Sequence, residues 1–291
     1  MPKKPGTLFC FGLGYSAGLL ARRLISKGWR VKGTCQSDKK AQALRSEGIE
    51  VFVFNSQMSG NREWLKGATH IVTSVPPKEN GDSILELFGE HIAHCTSIQW
   101  SGYLSTTGVY GNTEGAWVDE SSPIQADVKR SQYRAAAEQA WLQLYHDYNL
   151  PIHIFRLAGI YGPGRSPLDR IRRGQARRII KPGHRFSRIH VEDIATVLEA
   201  SMQRPNPGQI YNVCDDHPEE PSLVTQFGCK LLGIPPPPLI SFEQAAKDMS
   251  NMGLSFWNDN RRVKNTRIKE ELGVRLAYPT YKEGLRALAY I

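Results

Sequence analysis

The sequence predicts an α/β protein: a doubly wound parallel sheet followed by a smaller C-terminal lobe. Two observations carry that expectation. Short apolar runs alternate with amphipathic segments of helical period through the first half of the chain, and a glycine-rich turn joins the first run to the first such segment. Strands separated by helices of this length are mostly parallel, with right-handed crossovers.

Thr7–Gly12 (TLFCFG) reads as a buried strand, and Tyr15–Lys27 as a helix with Leu20, Ala21 and Leu24 on one face. Gly28 suits a left-handed helix terminus, and Arg30–Cys35 (RVKGTC) makes the second strand. A helix from about Asp38 to Glu47 precedes the third, Glu50–Asn55 (EVFVFN). His70–Val75 (HIVTSV) is the fourth, stopped by Pro76 and Pro77, which have no N–H for a ladder. Asp82 caps a helix carrying Ile84, Leu87, Phe88 and His91 at helical spacing. Ile98–Ser105 is the fifth strand, Ser131–Tyr148 a long helix, and Ile152–Tyr161 the sixth strand. Gly162-Pro163-Gly164 then breaks the pattern. We expect residues 1–164 to form the sheet domain, completed by returning segments at about 188–215 (a helix from Val191 to about Met202 and a strand Gln209–Cys214). Residues 165–291 should form the smaller, mainly helical substrate lobe, punctuated by Pro235–Pro238 and ending in a helix over Tyr281–Tyr290.

Composition sets the class. Of 291 residues, 40% are hydrophobic and 22% charged, as in a globular protein and unlike a disordered or collagen-like one. No apolar run approaches the roughly 20 residues that span a bilayer, so no membrane role is expected. Met1-Pro2-Lys3-Lys4-Pro5 runs into the first strand without the apolar stretch of a secretory signal. Cys10, Cys35, Cys95, Cys214 and Cys229 are widely spaced without a C-x-x-C pair, which points to reduced thiols and a cytoplasmic location. Lys and Arg outnumber Asp and Glu by 37 to 28, giving +9 and favouring an anionic partner. No zinc-finger, RNA-recognition or basic–aromatic helical pattern is present, so nucleic acid is not the expected partner. His184 and His190 lack zinc-ligand spacing with any cysteine, and no metal is expected.

Gly12-Leu13-Gly14-Tyr15-Ser16-Ala17 fits the G-x-G-x-x-G/A fingerprint in its strand–turn–helix context, the dinucleotide turn of a Rossmann sheet. Gly12 permits the tight turn, Gly14 lets a pyrophosphate approach the backbone, and Ala17 lets the helix pack closely. The helix start at Tyr15 and Ser16 offers N–H groups and a positive dipole end to phosphate. The second strand ends in Thr34-Cys35-Gln36-Ser37-Asp38-Lys39-Lys40, without the terminal carboxylate that usually holds an NAD ribose. Hydroxyls at Thr34 and Ser37 and charges at Lys39 and Lys40 suit a 2′-phosphate, so NADP is the expected cofactor and NAD the alternative. Asp38 reads as a ribose ligand or, better, as a helix N-cap, and the two lysines equally as a solvated helix face.

Four segments together resemble the extended and atypical extended short-chain dehydrogenase/reductase family, the NAD-dependent epimerase/dehydratase group. They are the glycine turn, Leu104–Gly111 (LSTTGVYG), Phe155–Gly164 (FRLAGIYGPG) and Arg188–Asp193 (RIHVED). The resemblance implies that hydride passes between nicotinamide and a substrate carbon bearing a hydroxyl or carbonyl, assisted by a Ser or Thr, a Tyr and a Lys. It places Thr106 at the Ser/Thr position, with Ser105 and Thr107 one residue away, and Tyr133 as acid/base. It also implies that Val75, Leu157 and Ala158 line the dinucleotide, and that relatives pair as homodimers through the helices at Asp82–His94 and Ser131–Tyr148. One departure stands out. Four residues after Tyr133 comes Ala137, not Lys, so the pair that i, i+4 spacing would hold on one helix face is incomplete. A register that aligns Glu138 with the family's acidic residue instead puts Arg130 at the Tyr position and Arg134 at the Lys position, and arginine is a poor acid or base. Tyr133 therefore reads either as an acid/base served by Arg130 or Arg134, or as a helix-surface aromatic.

Arg165, Arg170, Arg172, Arg173, Arg177, Arg178, Lys181, Arg185 and Arg188 crowd the segment after the sixth strand. Ligands bind beyond the carboxyl ends of such strands, and guanidinium forks match phosphate and carboxylate. Most of this run is expected to be a solvated face, with Arg165, Arg188 and then Arg185 as substrate contacts. His190 reads as a packed histidine, and Asp193 as a residue that caps or orients the following helix. The expected function is an NAD(P)-binding oxidoreductase or epimerase/dehydratase acting on a small anionic substrate, such as a sugar nucleotide. The alternative is a catalytically inactive NADP-binding sensor of the same fold, favoured by Ala137.

Overall fold

The alternation of apolar and amphipathic segments is realised in order in a computed structural model that describes residues 5–55 and 60–290; Met1–Lys4 of the N-terminal reading lie outside the described residues. The elements begin with β1 (Thr7–Phe11), α1 (Tyr15–Ser26), β2 (Arg30–Cys35), α2 (Asp38–Ser46), β3 (Glu50–Val53) and β4 (His70–Thr73). Next come α3 (Ser83–Ala93), β5 (Trp100–Thr106), the short β6 (Trp117–Val118), α4 (Lys129–Tyr148), β7 (Ile152–Leu157) and β8 (Gly159–Tyr161). They continue as α5 (Pro167–Arg172), β9 (Arg178–Ile180), β10 (Arg188–His190), α6 (Val191–Gln203), β11 (Ile210–Val213) and α7 (Pro221–Leu232). The last are β12 (Leu239–Ser241), α8 (Phe242–Ala246), α9 (Asn251–Asn258), β13 (Arg262–Val263), α10 (Thr266–Glu270) and α11 (Tyr281–Ala289).

The chain divides into two units. The first comprises Met1–Thr106, Gln132–Arg156 and Ala195–Tyr211; the second comprises Thr107–Ser131, Leu157–Ile194 and Asn212–Ile291. This differs from the expected cut after residue 164, because residues 107–131 join the second unit and the returning helix joins the first mainly from Ala195 onward.

A seven-stranded parallel sheet in the order β11-β7-β5-β4-β1-β2-β3 forms the first unit's framework. β1 pairs in parallel with β2 (Leu8↔Val31) and β4 (Leu8↔His70), so the strand order reverses between β1 and β4. In such sheets the crevice outside the carboxyl ends at that switch point is where ligands bind. Phe9, Phe11, Ile71, Phe88, Tyr103, Trp141, Ile152 and Ile154 fill the core on one sheet face. Burial of each such side chain is worth about 1.5–3 kcal/mol. Asp82 caps α3 by accepting the N–H groups of Ile84 and Leu85, and its other oxygen accepts the Trp141 indole N–H at 3.0 Å. At the start of α2 the cap is Ser37, whose hydroxyl accepts the Lys40 N–H, and Asp38 is the first helical residue. Both residue types cap well, and the extended backbone of Ser37 decides between them.

In the second unit three two-stranded parallel sheets (β8–β10, β9–β12 and β6–β13) replace one large one. Apolar clusters around Tyr161, Leu168, Val224 and Leu285, and around Ile179, Ala245 and Trp257, hold the helices. The single sixth strand expected over Ile152–Tyr161 is in fact two. The Ala158 N–H bonds the Val213 carbonyl at 3.0 Å, but the next residue, Gly159, bonds the Ser187 carbonyl at 3.1 Å, so the chain changes sheets there. Asp193, expected to cap or orient the following helix, lies in its first turn. Its carboxylate accepts the N–H groups of Ala277 (2.7 Å) and Tyr278 (3.0 Å), tying the start of α6 to the C-terminal segment. Among the described residues no helix is long and apolar enough to cross a membrane.

Candidate functional site: a dinucleotide turn and a charged strand end

The first unit builds the glycine turn between β1 and α1. Gly12 sits at φ +87°, and a Cβ there would lie 2.9 Å from the Ser74 Oγ and 3.2 Å from Val75 Cγ2. Conformation and space both demand glycine. Gly14 differs. Its backbone is ordinary and extended (φ −82°), it is exposed, and a Cβ would meet no protein atom nearer than 3.8 Å. Nothing within the chain requires a glycine at that position, so the missing side chain leaves room for a group outside it. Gly14 gives α1 no side-chain cap, so the helix start, with Ser16 and Ala17 buried in its first turn, presents a positive dipole end there. These features fit the pyrophosphate of a dinucleotide.

Thr34 shapes this turn. It is 1% exposed, its hydroxyl accepts the Gly12 N–H at 2.9 Å, and its carbonyl accepts the Leu13 N–H at 2.7 Å. A hydroxyl expected to receive a 2′-phosphate is thus buried and holds the backbone instead, a correction to the sequence reading. Ser37, as the α2 cap, and Lys39 are both exposed at the end of β2. Ser74 was not foreseen. Its hydroxyl donates to the Gly12 carbonyl at 2.6 Å, bracing the turn from β4. Its position just past β4 at the switch point was the available signal.

At the carboxyl end of β5, three adjacent hydroxyls have different surroundings. Ser105 is buried and donates to Glu138 Oε1 at 2.5 Å. Glu138, 1% exposed, is clasped by Arg156, 2% exposed, whose Nε lies 3.1 Å and Nη2 2.7 Å from Oε2. Such a pair, desolvated on both sides, holds only because it is this well satisfied. Thr107 is buried, whereas Thr106 is half-buried. On α4, the Arg134 Nη1 donates to the Leu104 carbonyl (2.8 Å) and the Tyr103 hydroxyl (3.1 Å). Burial pushes the Tyr103 phenol up, although the Arg134 charge opposes it. Arg130 lies over the Phe256 ring at 4.2 Å. Both cations considered as partners for Tyr133 are thus engaged elsewhere, and Tyr133 is half-buried on the helix.

In the second unit most of the basic run is exposed, as expected of a solvated face, but several of its side chains also clamp backbone oxygens. Arg172 donates to the Leu288 and Ala289 carbonyls, Arg173 to Asp169, Arg177 to Ala245 and Lys181 to Trp257, while Arg178 bonds the Gln226 side chain. Cations at helix C-termini are favourable, and here they join segments far apart in sequence. Arg188, expected as a substrate contact, donates Nη1 to the carbonyls of Phe186 (2.7 Å) and Glu219 (3.0 Å). Burial pushes the Asp215 carboxyl beside it up to about 8, against the pull of the Arg188 charge. Arg165 is exposed and Arg185 half-buried. Leu157 ends β7 and Ala158 follows it, both buried. His190 is buried between the rings of Tyr161 and Tyr278, and burial pushes it down to about 4, so it is neutral at pH 7. Among the described residues no three His, Cys, Asp or Glu side chains are grouped to hold a metal ion.

Comparisons with known proteins agree with this geometry. The NAD dependent epimerase/dehydratase family matches residues 90–214. A functionally unknown conserved protein from Silicibacter pomeroyi has a solved structure 49% identical to this chain, with a TM-score of 0.89 and 98% of each chain covered. Protein YeeZ of Escherichia coli is 28% identical over 285 residues, covering 92% of this chain and 94% of that protein. The fold is also that of UDP-glucose 4-epimerase from Thermotoga maritima, solved with UDP-glucose, at 15% identity and a TM-score of 0.79 over 98% of this chain and 97% of that one. Residues 90–214 thus match the NAD dependent epimerase/dehydratase family, and the chain as a whole has the fold of that group's solved members.

Proposed function

We propose that this protein is an NAD(P)-dependent oxidoreductase or epimerase/dehydratase that acts at a hydroxyl or carbonyl carbon of a small anionic substrate of the sugar-nucleotide class. The observation that carries the reading is Gly14, an exposed, extended residue whose missing Cβ serves no need of the chain and leaves a pyrophosphate free to meet the helix start. A bound nicotinamide supplies hydride transfer. The chain's own part is to bind and orient. Thr106, half-buried at the end of β5 and at the position the family resemblance gives to Ser or Thr, holds the reacting oxygen. Tyr133 is the acid/base on α4, and Arg134 keeps a fixed positive charge at the end of β5. Arg165 and Arg185 take the substrate's anionic part. NADP is the preferred dinucleotide, read by Lys39 and Lys40 at the exposed start of α2. Leu87 and Tyr148, exposed on α3 and α4, support a homodimer through those helices.

The test is a titration with NADPH and NADH followed by turnover on a sugar-nucleotide panel. Gly14→Val should weaken dinucleotide binding by at least about a hundredfold with little loss of stability, and full retained affinity would defeat the reading. Lys39→Glu with Lys40→Glu should weaken NADPH more than NADH, whereas equal losses would remove the preference for NADP. Absence of lysine four residues after Tyr133 favours a second reading, a dinucleotide sensor without turnover. Binding of NADPH without its oxidation across the panel would select it.

A further inference from the structure

In the second unit one asparagine uses both its backbone and its side chain to join three separate loops. The Asn260 N–H donates to Asn112 Oδ1 at 3.0 Å, and its carbonyl accepts the N–H groups of Thr113 (3.1 Å) and Gly115 (2.9 Å). Its side chain reaches the other way: Nδ2 donates to the Gly183 carbonyl at 3.2 Å, and Oδ1 accepts the Arg185 N–H at 3.2 Å. The neighbouring Arg261 strengthens the clasp, donating Nη1 to the Gly111 carbonyl at 2.8 Å and pairing with Asp259 at 2.9 Å. The segment Gly183-His184-Arg185 that the side chain grips is the turn between β9 and β10. The His184 N–H bonds the Lys181 carbonyl at 3.0 Å and Phe186 exchanges two 3.2 Å backbone bonds with Glu219, so Asn260 holds the stretch between these two fixed points. Its aromatic anchor is His184, stacked on Trp257 at 5.3 Å and edge-on to Phe186 at 4.9 Å.

Arg185 differs from most of its basic neighbours, and from the exposed Arg170 in being half-buried. Arg172, Arg173, Arg177, Arg178, Lys181 and Arg188 all hold oxygens of the second unit, whereas the half-buried Arg185 guanidinium donates no hydrogen bond among the described residues. A planar fork of donors, partly desolvated and without an internal acceptor, is suited to bidentate capture of a phosphate oxygen pair. Such capture needs the backbone beneath the fork to be held in place, because a misplaced fork loses one of its two bonds.

We propose that Asn260 is a positioning residue: through its Oδ1 and Nδ2 it fixes the Gly183–Arg185 turn so that Arg185 meets the diphosphate of a nucleoside diphosphate or nucleotide sugar. The proposal rests on the reading of the substrate as anionic, and adds to it the residue that sets the arginine's place.

The experiment measures UDP binding by calorimetry, NADPH binding by fluorescence, and amide hydrogen exchange at Arg185, in the full chain and in Asn260→Ala, Arg185→Ala and the double variant. Asn260→Ala should weaken UDP about tenfold and lower Arg185 amide protection about tenfold, with NADPH affinity within about twofold of the parent. In the double variant the UDP loss should match that of Arg185→Ala alone, because two residues acting through one contact are not additive. Asn260→Asp, which keeps the acceptor for the Arg185 N–H but not the donor to Gly183, should lie between the parent and Asn260→Ala, and stands in if the alanine variant does not fold. Multiplied losses in the double variant, unchanged UDP affinity in Asn260→Ala, or a parent that binds NADPH but not UDP each overturn the proposal. A parent that binds UDP in an Asn260-dependent way but binds neither dinucleotide leaves the proposal standing and defeats the cofactor reading instead.

Discussion

The two units solve the same problem, a stable core under a polar site, by different means. In the first, continuous apolar strands in one seven-stranded sheet supply the stability, and a buried charge pair, Glu138–Arg156, braces the end of β5. Both units are assembled from three stretches of chain, but the second has only two-stranded sheets, so side chains do the joining. Arginines on carbonyls, Asp193 on two amides and Asn260 on three loops are its fasteners. A large sheet satisfies its own backbone, whereas a patchwork must recruit polar side chains to do so.

That contrast can be broken experimentally. The largest effect is expected in the first unit: Glu138→Ala strands the Arg156 charge in the core and should cost about 3–5 kcal/mol in urea unfolding. A loss below about 1 kcal/mol would show that the sheet does not depend on the pair. The next test is pH. Burial pushes His153 in the first unit, and His184 and His190 in the second, down to about 4 from an ordinary 6.5. Each is neutral when folded, so its contribution is complete above about pH 6.5 and is lost as pH falls toward 4, at about 1.4 kcal/mol per pH unit. Asp215, raised to about 8, has the opposite sign, with stability complete below its unfolded value near 3.8 and lost as pH rises through 8. As pH falls from about 6.5 to 4 the two histidines of the second unit lose stability while Asp215 regains it, leaving the same net slope as His153 gives the first unit. The second unit should therefore open first only on the alkaline side, as pH rises from about 6.5 to 8. Hydrogen exchange followed across pH would show it, and parallel opening of both units would remove the distinction.

Smaller effects sharpen the comparison. Gly12→Ala, at φ +87° and 2.9 Å from Ser74 Oγ, should cost about 1–3 kcal/mol in thermal melting. Gly284→Ala, whose Cβ would collide with the Tyr161 ring and hydroxyl, should overpack the second unit by about 1–3 kcal/mol. The smallest belongs to a single fastener: Arg172→Met should cost about 0.3–1 kcal/mol, since one carbonyl clamp at a helix end is a minor contribution. A larger loss would mean that these clamps act as a network.

What the sequence disclosed follows the same division. Strands β1 to β5, the cap at Asp82 and the glycine turn were legible because each depends on residues a few positions apart, whereas the α2 cap expected at Asp38 falls one residue earlier, on Ser37. The division of the sixth strand was not, because the partner change at Ala158 and Gly159 is set by Val213 and Ser187, distant in sequence. The arginine clamps were not legible for the same reason: the run is largely exposed, and the carbonyls its side chains reach lie far off in sequence. Glu138 was legible as a family landmark, but its grip on Ser105 and Arg156 required the packing of α4 against β5 and β7. Asn260 gave no local signal at all.

The clasp of Asp193 by Ala277 and Tyr278 bears on how the chain is made. During synthesis the phosphate cradle is chemically complete once Ser74 and Val75 have left the ribosome, whereas the Asp193 carboxylate waits for partners some eighty residues downstream. Until they emerge, that buried anion has neither amide, and a nascent chain stalled before Ala277 would carry a finished nucleotide cradle beside an unfinished second half.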